Sequence, residues 1–239
     1  QNVENMRLMF YNCKQLQSLN VTNFDTRNVT NMESMFAYCN ALTTLDLSSF
    51  NTSKVITMER MVQDCRNMES IRLNSFNTSN VTNMLAMFHN CESLKTLDLS
   101  TFDTSKVTDM SWMFHGCQSL TTLDLDNFNT SKVTNMSHMF QNCIKVQSLN
   151  LKKFITSNVT DMSDMFNNCS SITSLLLDNF DTTKVTSMPN MFFNCHSLNT
   201  LNLSNFNTSN VTDMTSIFSD CFTLKSLSIV NFNFDKVTK

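Results

Sequence analysis

Residues 42–67 read LTTLDLSSFNTSKVITMERMVQDCRN, and this stretch is one unit of a repeat that runs through all 239 residues. The nine cysteines set the period, because their positions differ by 26 each time without a slip, at Cys13, Cys39, Cys65, Cys91, Cys117, Cys143, Cys169, Cys195 and Cys221. A fixed period in this range is typical of a solenoid, in which each repeat forms one coil. The sequence therefore predicts a single array over residues 1–239, with about nine coils, truncated in mid-repeat at both ends and showing no polar capping repeat.

The large apolar residues fall into columns when the chain is stacked on this period. Phe24 begins a column of nine phenylalanines, Val3 a column of ten valines and Met6 a column of nine methionines. These columns account for most of the 18 Met and 20 Phe residues. Neighbouring coils that stack in register would bury them together, so the columns predict one continuous core.

Each repeat contains two hydrophobic periodicities. Leu45 and Leu47 alternate with polar residues, as in a short strand with one buried face. Residues 32, 35, 36 and 39 are apolar with helical spacing, which predicts one stripe of a short helix. Thr30 and Asn31 occupy the position expected for the N-cap of this helix. Pro189 lies in the first turn of the predicted helix of its own coil. The predicted fold is an α/β right-handed solenoid with one short parallel strand and one short helix in each coil.

The corners of the coils must be made without the usual residues, because the chain has one glycine and one proline. Asn, Asp, Ser and Thr can replace them, since their side chains bond to nearby backbone and Asn and Asp tolerate left-handed conformations. A threonine column runs through eight consecutive coils, from Thr26 to Thr208. We expect each of these hydroxyls to bond to backbone at a corner.

The pattern LxxLxLxxFxTxxVxxMxxMFxxC, seen as LTTLDLDNFNTSKVTNMSHMFQNC in residues 120–143, resembles the BspA-like leucine-rich-repeat surface proteins. The resemblance covers the whole chain and implies a leucine-rich-repeat solenoid, an extracellular or cell-surface location and a role in adhesion or host-protein binding. It brings no catalytic residues. One departure is that Phe50, Phe76 and Phe102 occupy the position where leucine-rich repeats usually carry a buried asparagine ladder.

The cysteine column has several interpretations: a disulfide framework, a metal ladder, reactive thiols or a buried apolar column. The spacing does not match a zinc motif, and no CxxC pair is present. If the cysteines are helical, equivalent Cα atoms in packed helices lie about 8–10 Å apart, beyond the reach of a disulfide. Buried free thiols are the favoured interpretation, since cysteine is among the residues most often fully buried.

Composition argues against several functions. The net charge of −3 creates no positive electrostatic field that would attract nucleic acid. No apolar run approaches the length of a membrane helix. A strictly repeated core leaves no nucleophile–base pair and no phosphate loop, so no enzyme activity and no cofactor or metal are expected.

The outward-facing columns of the strand are the candidate binding surface. One is an unbroken ladder of Ser and Thr, and the column beside it holds several aspartates. A polar face of a repeat array is where such proteins usually bind. The candidate ligand-binding residues are Asp46, Arg72, Thr96, Asp98, Thr122, Asp124 and Asp126. The alternative is a solvated sheet surface whose hydroxyls bond only to one another.

Two further columns carry the aromatic rings of histidine and tryptophan. His89 and His115 share one column and could approach each other, and Trp112 and His138 share another. Tryptophan is enriched at binding hot spots, although a single exposed ring on a variable column can also be incidental.

Two hypotheses of different classes follow. The first is a non-catalytic recognition or adhesion module that binds host or matrix proteins, or glycans, through the strand face. The second is a structural protein that associates end to end into filaments, since both ends of the array are in the same register.

Overall fold

The computed structural model describes residues 2–239. The chain winds into parallel coils, each one period of the sequence long, and the apolar columns form one continuous core along the stack. The strands are β1 (Thr44–Asp46), β2 (Ser70–Arg72), β3 (Thr200–Asn202) and β4 (Ser226–Ser228). β1 pairs with β2 and β3 with β4, both in parallel and both between positions one period apart, so that Leu45 lies opposite Ile71. The solenoid, its period and its core are as the sequence predicts.

The backbone hydrogen-bond ladder that joins all the coils lies in a different part of each coil from strands β1 to β4. Single parallel bridges join residues at the start of each methionine segment, one period apart, through Asn5, Asn31, Thr57, Asn83, Asp109, Asn135, Asp161, Ser187 and Asp213. Backbone bonds continue this ladder: the Met32 N–H donates to the carbonyl oxygen of Thr57 at 3.1 Å. We call this side of the solenoid the turn side, and it comprises residues 31–39 and their equivalents in the other coils.

The predicted helix is wrong: residues 2–239 contain no helix. Residues 32–39 instead form successive β-turns, closed by bonds such as Met35 N–H to Met32 O at 3.2 Å and Cys39 N–H to Phe36 O at 3.3 Å. The intervening amides donate to the next coil, as Phe36 N–H does to Met61 O at 2.9 Å. The apolar stripe is nevertheless fully buried, because a chain of β-turns and a helix both return to the same face every three to four residues.

The spacing between coils explains why turns replace the helix. Adjacent Phe rings on the turn side lie only 5.4–5.9 Å apart, close to the separation of neighbouring β-strands, about 4.8 Å. Packed helices need about 8–10 Å between their axes. A helix in every coil would therefore break the bridges that join the coils. The predicted N-cap is likewise wrong: Asn31 Oδ1 accepts the Glu33 N–H at 2.8 Å, which makes an Asx turn.

Two residues of each turn segment adopt a left-handed backbone conformation. The second of them is nearly always Asn, Asp or Gly, in the order Asn12, Tyr38, Asp64, Asn90, Gly116, Asn142, Asn168, Asn194 and Asp220. Asn168 Nδ2 donates to Asn142 Oδ1 at 2.7 Å, and Asn194 repeats the bond onto Asn168 at 2.6 Å. We call this set of second positions the Asn column. It supplies both the left-handed turn and part of an asparagine ladder, as expected for corners made without glycine.

The threonine column behaves as predicted. Each hydroxyl both donates to the carbonyl oxygen and accepts from the amide of one residue in the next coil, as Thr130 does with Ile155 at 2.9 and 2.7 Å. The same pair of bonds recurs from Thr26 to Thr208. All eight side chains are buried, so each hydroxyl satisfies two backbone groups that would otherwise lack a partner.

The cysteines are free thiols, and seven of the nine are buried, with Cys13 exposed and Cys221 half-buried. From Cys39 to Cys221, each Sγ donates to the carbonyl oxygen of the residue at the Phe position of the preceding coil, as Cys117 does to Phe88 at 3.2 Å. The geometric argument from helix packing does not apply, because the segment is not helical. These thiols differ from exposed cysteines in their burial, which raises the pKa of Cys143 to about 12.

We predict that alkylation of the native protein will modify Cys13 rapidly and Cys221 slowly. The seven buried thiols should react only after unfolding, because their raised pKa keeps them protonated and the core excludes the reagent. Mass spectrometry of native and unfolded samples measures the sites. Rapid modification of Cys117 or Cys143 in the native state would contradict the continuous core.

We also predict that Gly116→Ala will destabilise the array by about 1–2 kcal/mol, the cost of a left-handed conformation for an ordinary residue. Gly116 has φ +72°, and an added Cβ would lie 2.3 Å from Asn90 Oδ1. Denaturant unfolding measures the loss. Gly116→Asn is the matched control, because Asn tolerates this φ and fills the same column in other coils. Equal losses in both variants would show that the contact with Asn90, and not φ, sets the cost.

Candidate functional site

Five of the seven candidate residues surround one cavity of about 610 Å³ on the strand face. Its lining comes from three successive coils and consists of Thr96, Leu97, Asp98, Thr122, Leu123, Asp124, Asp126, Ser148 and Asn150. A smaller cavity of about 170 Å³ adjoins it past Ser100 and Asn127. We call the two together the strand-face groove.

The strand-face groove lies where the coils do not pair as strands. On either side of it, the strand position is closed by backbone bonds between β1 and β2, from Leu47 N–H to Arg72 O at 3.1 Å, and between β3 and β4, from Leu203 N–H to Ser228 O at 2.9 Å. Between β2 and β3 the described residues form a single bridge at this position, Ser174 with Thr200. Leu97 and Leu123 remain buried, so the core is intact beneath an opened surface.

The carboxylates of the strand-face groove are held by local backbone bonds. Asp98 accepts the Ser100 N–H and Asp124 accepts the Asp126 N–H, each at 3.0 Å. The bond from Ser100 lowers the pKa of Asp98, so this group is ionised at neutral pH. Each Asx turn leaves the second carboxylate oxygen free to meet a ligand.

Asp126 is held differently. Its Oδ1 accepts a bond from Asn150 Nδ2 at 2.7 Å, and its carbonyl oxygen accepts one from Lys153 Nζ at 2.8 Å. Within residues 2–239, the carboxylates of Asp98, Asp124 and Asp126 take part in no salt bridge. The strand-face groove therefore presents three carboxylates that form no salt bridge, with the Lys153 ammonium bound to the backbone of Asp126 beside them.

The other two candidates lie outside the strand-face groove. Asp46 on β1 and Arg72 on β2 face each other across the paired strands, with Arg72 Nη1 3.4 Å from Asp46 Oδ2. Hydrogen bonds from Ser48 lower the pKa of Asp46. The pair neutralises its own charge, so this end of the strand face does not continue the acidic surface.

Ser148 and Asn150 line the strand-face groove but were not among the candidate residues. A signal for them exists in the sequence, since Ser148 continues the hydroxyl column and Asn150 the column of Asp124. The repeat pattern does not reveal which coils pair as strands, and a second strand-face cavity of about 460 Å³ lies over the paired strands β3 and β4.

The ring columns on the turn side meet as the sequence suggested. The His89 and His115 rings stack with centroids 4.6 Å apart, and Trp112 stacks on His138 at 3.8 Å. Trp112 also contacts the edge of His115 at 4.8 Å. Burial lowers the pKa of His115 to about 3, helped by the neighbouring histidines, so this imidazole is neutral at physiological pH.

One family model matches the full length of the chain in three overlapping segments. The model of a family described as mycoplasma protein of unknown function, DUF285, matches residues 1–95, 64–176 and 143–239. A search of curated proteins finds no match to the chain. Within residues 2–239 there is also no helix that is long and apolar enough to cross a membrane.

Solved structures similar to the chain include several bacterial leucine-rich-repeat proteins. One from Treponema pallidum is 16% identical, with 80% of this chain and 70% of that chain covered and a TM-score of 0.40. One from Bacteroides ovatus is 16% identical, with 95% and 74% covered and a TM-score of 0.35. A leucine-rich cell surface protein from Faecalibacterium prausnitzii is 14% identical, with 95% and 69% covered and a TM-score of 0.34. These similarities are to proteins of the kind that the resemblance drawn from the sequence names.

Proposed function

The chain belongs to the DUF285 family, and we propose that it is a non-catalytic recognition module of the cell surface that binds a basic segment of a host or matrix protein. The observation that carries the proposal is the strand-face groove, in which the carboxylates of Asp98, Asp124 and Asp126 lie together and form no salt bridge among the described residues. The repeated core, which leaves no convergent nucleophile and base, supports a binding role over catalysis.

Charge and hydrogen bonding favour a basic partner. Lysine and arginine form charge-assisted bonds with carboxylates that are stronger than bonds between neutral groups. Thr96, Thr122 and Ser148 add a row of exposed hydroxyls beside the carboxylates. Because Asx turns hold Asp98 and Asp124 in place, a ligand would not have to order these side chains on binding.

We predict that the triple variant Asp98→Asn, Asp124→Asn and Asp126→Asn will bind oligolysine about tenfold more weakly at low salt, since each exposed charge contact contributes about 0.5 kcal/mol and the three together about 1.4 kcal/mol. Isothermal titration calorimetry measures the affinity, and the affinity of the unmodified chain should fall as salt rises. Binding to a basic matrix protein should weaken in parallel.

The matched control changes three aspartates outside the strand-face groove, Asp103, Asp181 and Asp213, to Asn. Each accepts a backbone amide two residues on, as Asp98 and Asp124 do, so the two triple variants lose the same charge and differ in the kind of turn only at Asp126. Affinity should change less than about twofold, because screening weakens distant charges. Equal losses in both triple variants would mean that net charge, and not the strand-face groove, controls binding.

End-to-end assembly is the second candidate. Each coil docks on the next through the same threonine bonds and the same bridge, so a coil of a second copy could continue the stack in register. Analytical ultracentrifugation over a range of concentrations, with electron microscopy, tests it. Rods that lengthen with concentration would support assembly, and a monomer at every concentration would reject it.

A further inference from the structure

The solenoid bends toward its turn side. Stacked Phe rings of the Phe10 column are 5.4–5.9 Å apart from coil to coil. Those of the Phe24 column, which packs beside the Phe10 column with Phe10 and Phe24 6.2 Å apart, are 6.3–6.5 Å apart. The turn side is therefore the shorter, inner side of the curve. The inner side of a solenoid gathers side chains from several repeats around one ligand.

Two adjoining cavities form a groove on this inner side. The larger, of about 430 Å³, is lined by residues that include Arg7, Tyr11, Glu33 and Tyr38. The smaller, of about 220 Å³, is lined by residues that include His89 and Trp112. Arg60 and Gln63 line both, so the two cavities adjoin at these side chains, and we call the two together the turn-side groove.

Aromatic rings stand along the turn-side groove. Tyr11 is 46% exposed and meets Tyr38 edge to face, with centroids 5.4 Å apart. Gln63 Nε2 donates to the Tyr38 hydroxyl at 3.0 Å, which holds the second ring in place. Trp112 lies at the other end, half-buried and stacked on His138. Its φ of +61° is the left-handed conformation that the equivalent residue adopts in the other coils, such as Arg60 and His138.

The polar groups of the turn-side groove are balanced in charge. Arg7 Nε pairs with Glu33 Oε2 at 2.9 Å, and Arg60 pairs with Glu59. These pairs place donors and acceptors side by side with no net charge. Gln63 Oε1 adds an acceptor that has no hydrogen-bond partner among the described residues. A buried acceptor without a partner is costly unless a donor reaches it.

We propose that the turn-side groove binds a neutral oligosaccharide. Sugar hydroxyls donate and accept at once, which suits paired arginine and glutamate groups and the free Gln63 acceptor. The C–H faces of a pyranose ring pack on aromatic rings such as Tyr11 and Trp112, which combine an apolar face with a polar edge. A protein partner would instead need an apolar anchor pocket, and most of the lining here is polar. The site is separate from the strand-face groove and does not depend on the proposed function.

The test is titration of the intact chain with neutral tetrasaccharides (cellotetraose, chitotetraose and lacto-N-tetraose), and with a heparin tetrasaccharide as the anionic comparison. We expect one or more neutral sugars to bind, and Tyr11→Ala to weaken binding about fivefold or more, the loss typical of removing a hot-spot ring. Phe222→Ala is the matched control, because it removes a ring that is 74% exposed and lies outside the turn-side groove. Circular dichroism checks that both variants fold.

A second variant, Gln63→Met, keeps the side-chain length but removes both the free acceptor and the bond to the Tyr38 hydroxyl, and it should also weaken sugar binding. The Asp98, Asp124 and Asp126 triple variant should bind the sugar normally, and Tyr11→Ala should still bind oligolysine, so the two sites can fail separately. Binding of heparin but of no neutral sugar would overturn the proposal. So would binding of neutral sugars that is unchanged in Tyr11→Ala, or a pull-down in which Tyr11→Ala loses a protein partner while no sugar binds.

Discussion

The backbone ladder on the turn side is the constraint on which the rest of the structure depends. It joins each coil to the next from Asn5 to Asp213, and amides such as Ser34 N–H and Phe36 N–H donate directly to the next coil. This holds neighbouring coils near strand spacing over the whole array. A helix cannot satisfy its own amides internally and also give them to a neighbour. Because the amides bond to the neighbouring coil, the segment forms turns in place of a helix. The burial of the methionine stripe and the stacking of the Phe rings follow from the same close spacing.

Polar side chains complete the hydrogen bonding that the ladder leaves open. The Thr26 column bonds both backbone groups of one residue in the next coil, and the Asn column supplies left-handed corners and side-chain bonds between coils. Buried backbone groups must be paired somewhere, and here residue types with short polar side chains do most of that work at the corners. Gly116 is the one position in the Asn column where the side chain is absent, and Asn90 Oδ1 occupies the space that a Cβ would take.

The same ladder gives the two grooves their different characters. A stack held close on its turn side has more room between coils across the core, and there the strand position opens over Asp98, Asp124 and Asp126. On the inner side of the curve, residues of neighbouring coils converge and the large variable side chains come together, from Arg7 to Trp112. An acidic, hydroxyl-lined surface and a charge-balanced, aromatic one thus lie on separate sides of one array.

The repeat pattern alone determined the period, the coil number, the continuous core and the threonine corners, because each depends only on residues that recur once in every period. It also placed Thr96, Asp98, Thr122, Asp124 and Asp126 on one face, since period-2 alternation orients side chains whatever the pairing of the strands. The helix was wrong because apolar residues at i, i+3, i+4 and i+7 mark a buried face and do not reveal where the amide bonds go. Only the tertiary structure decided that those bonds run between coils. It also decided the bend of the solenoid, the loss of strand pairing over the acidic residues and the placement of Tyr11, Gln63 and Trp112 along two adjoining cavities, because all of these depend on the distance between neighbouring coils.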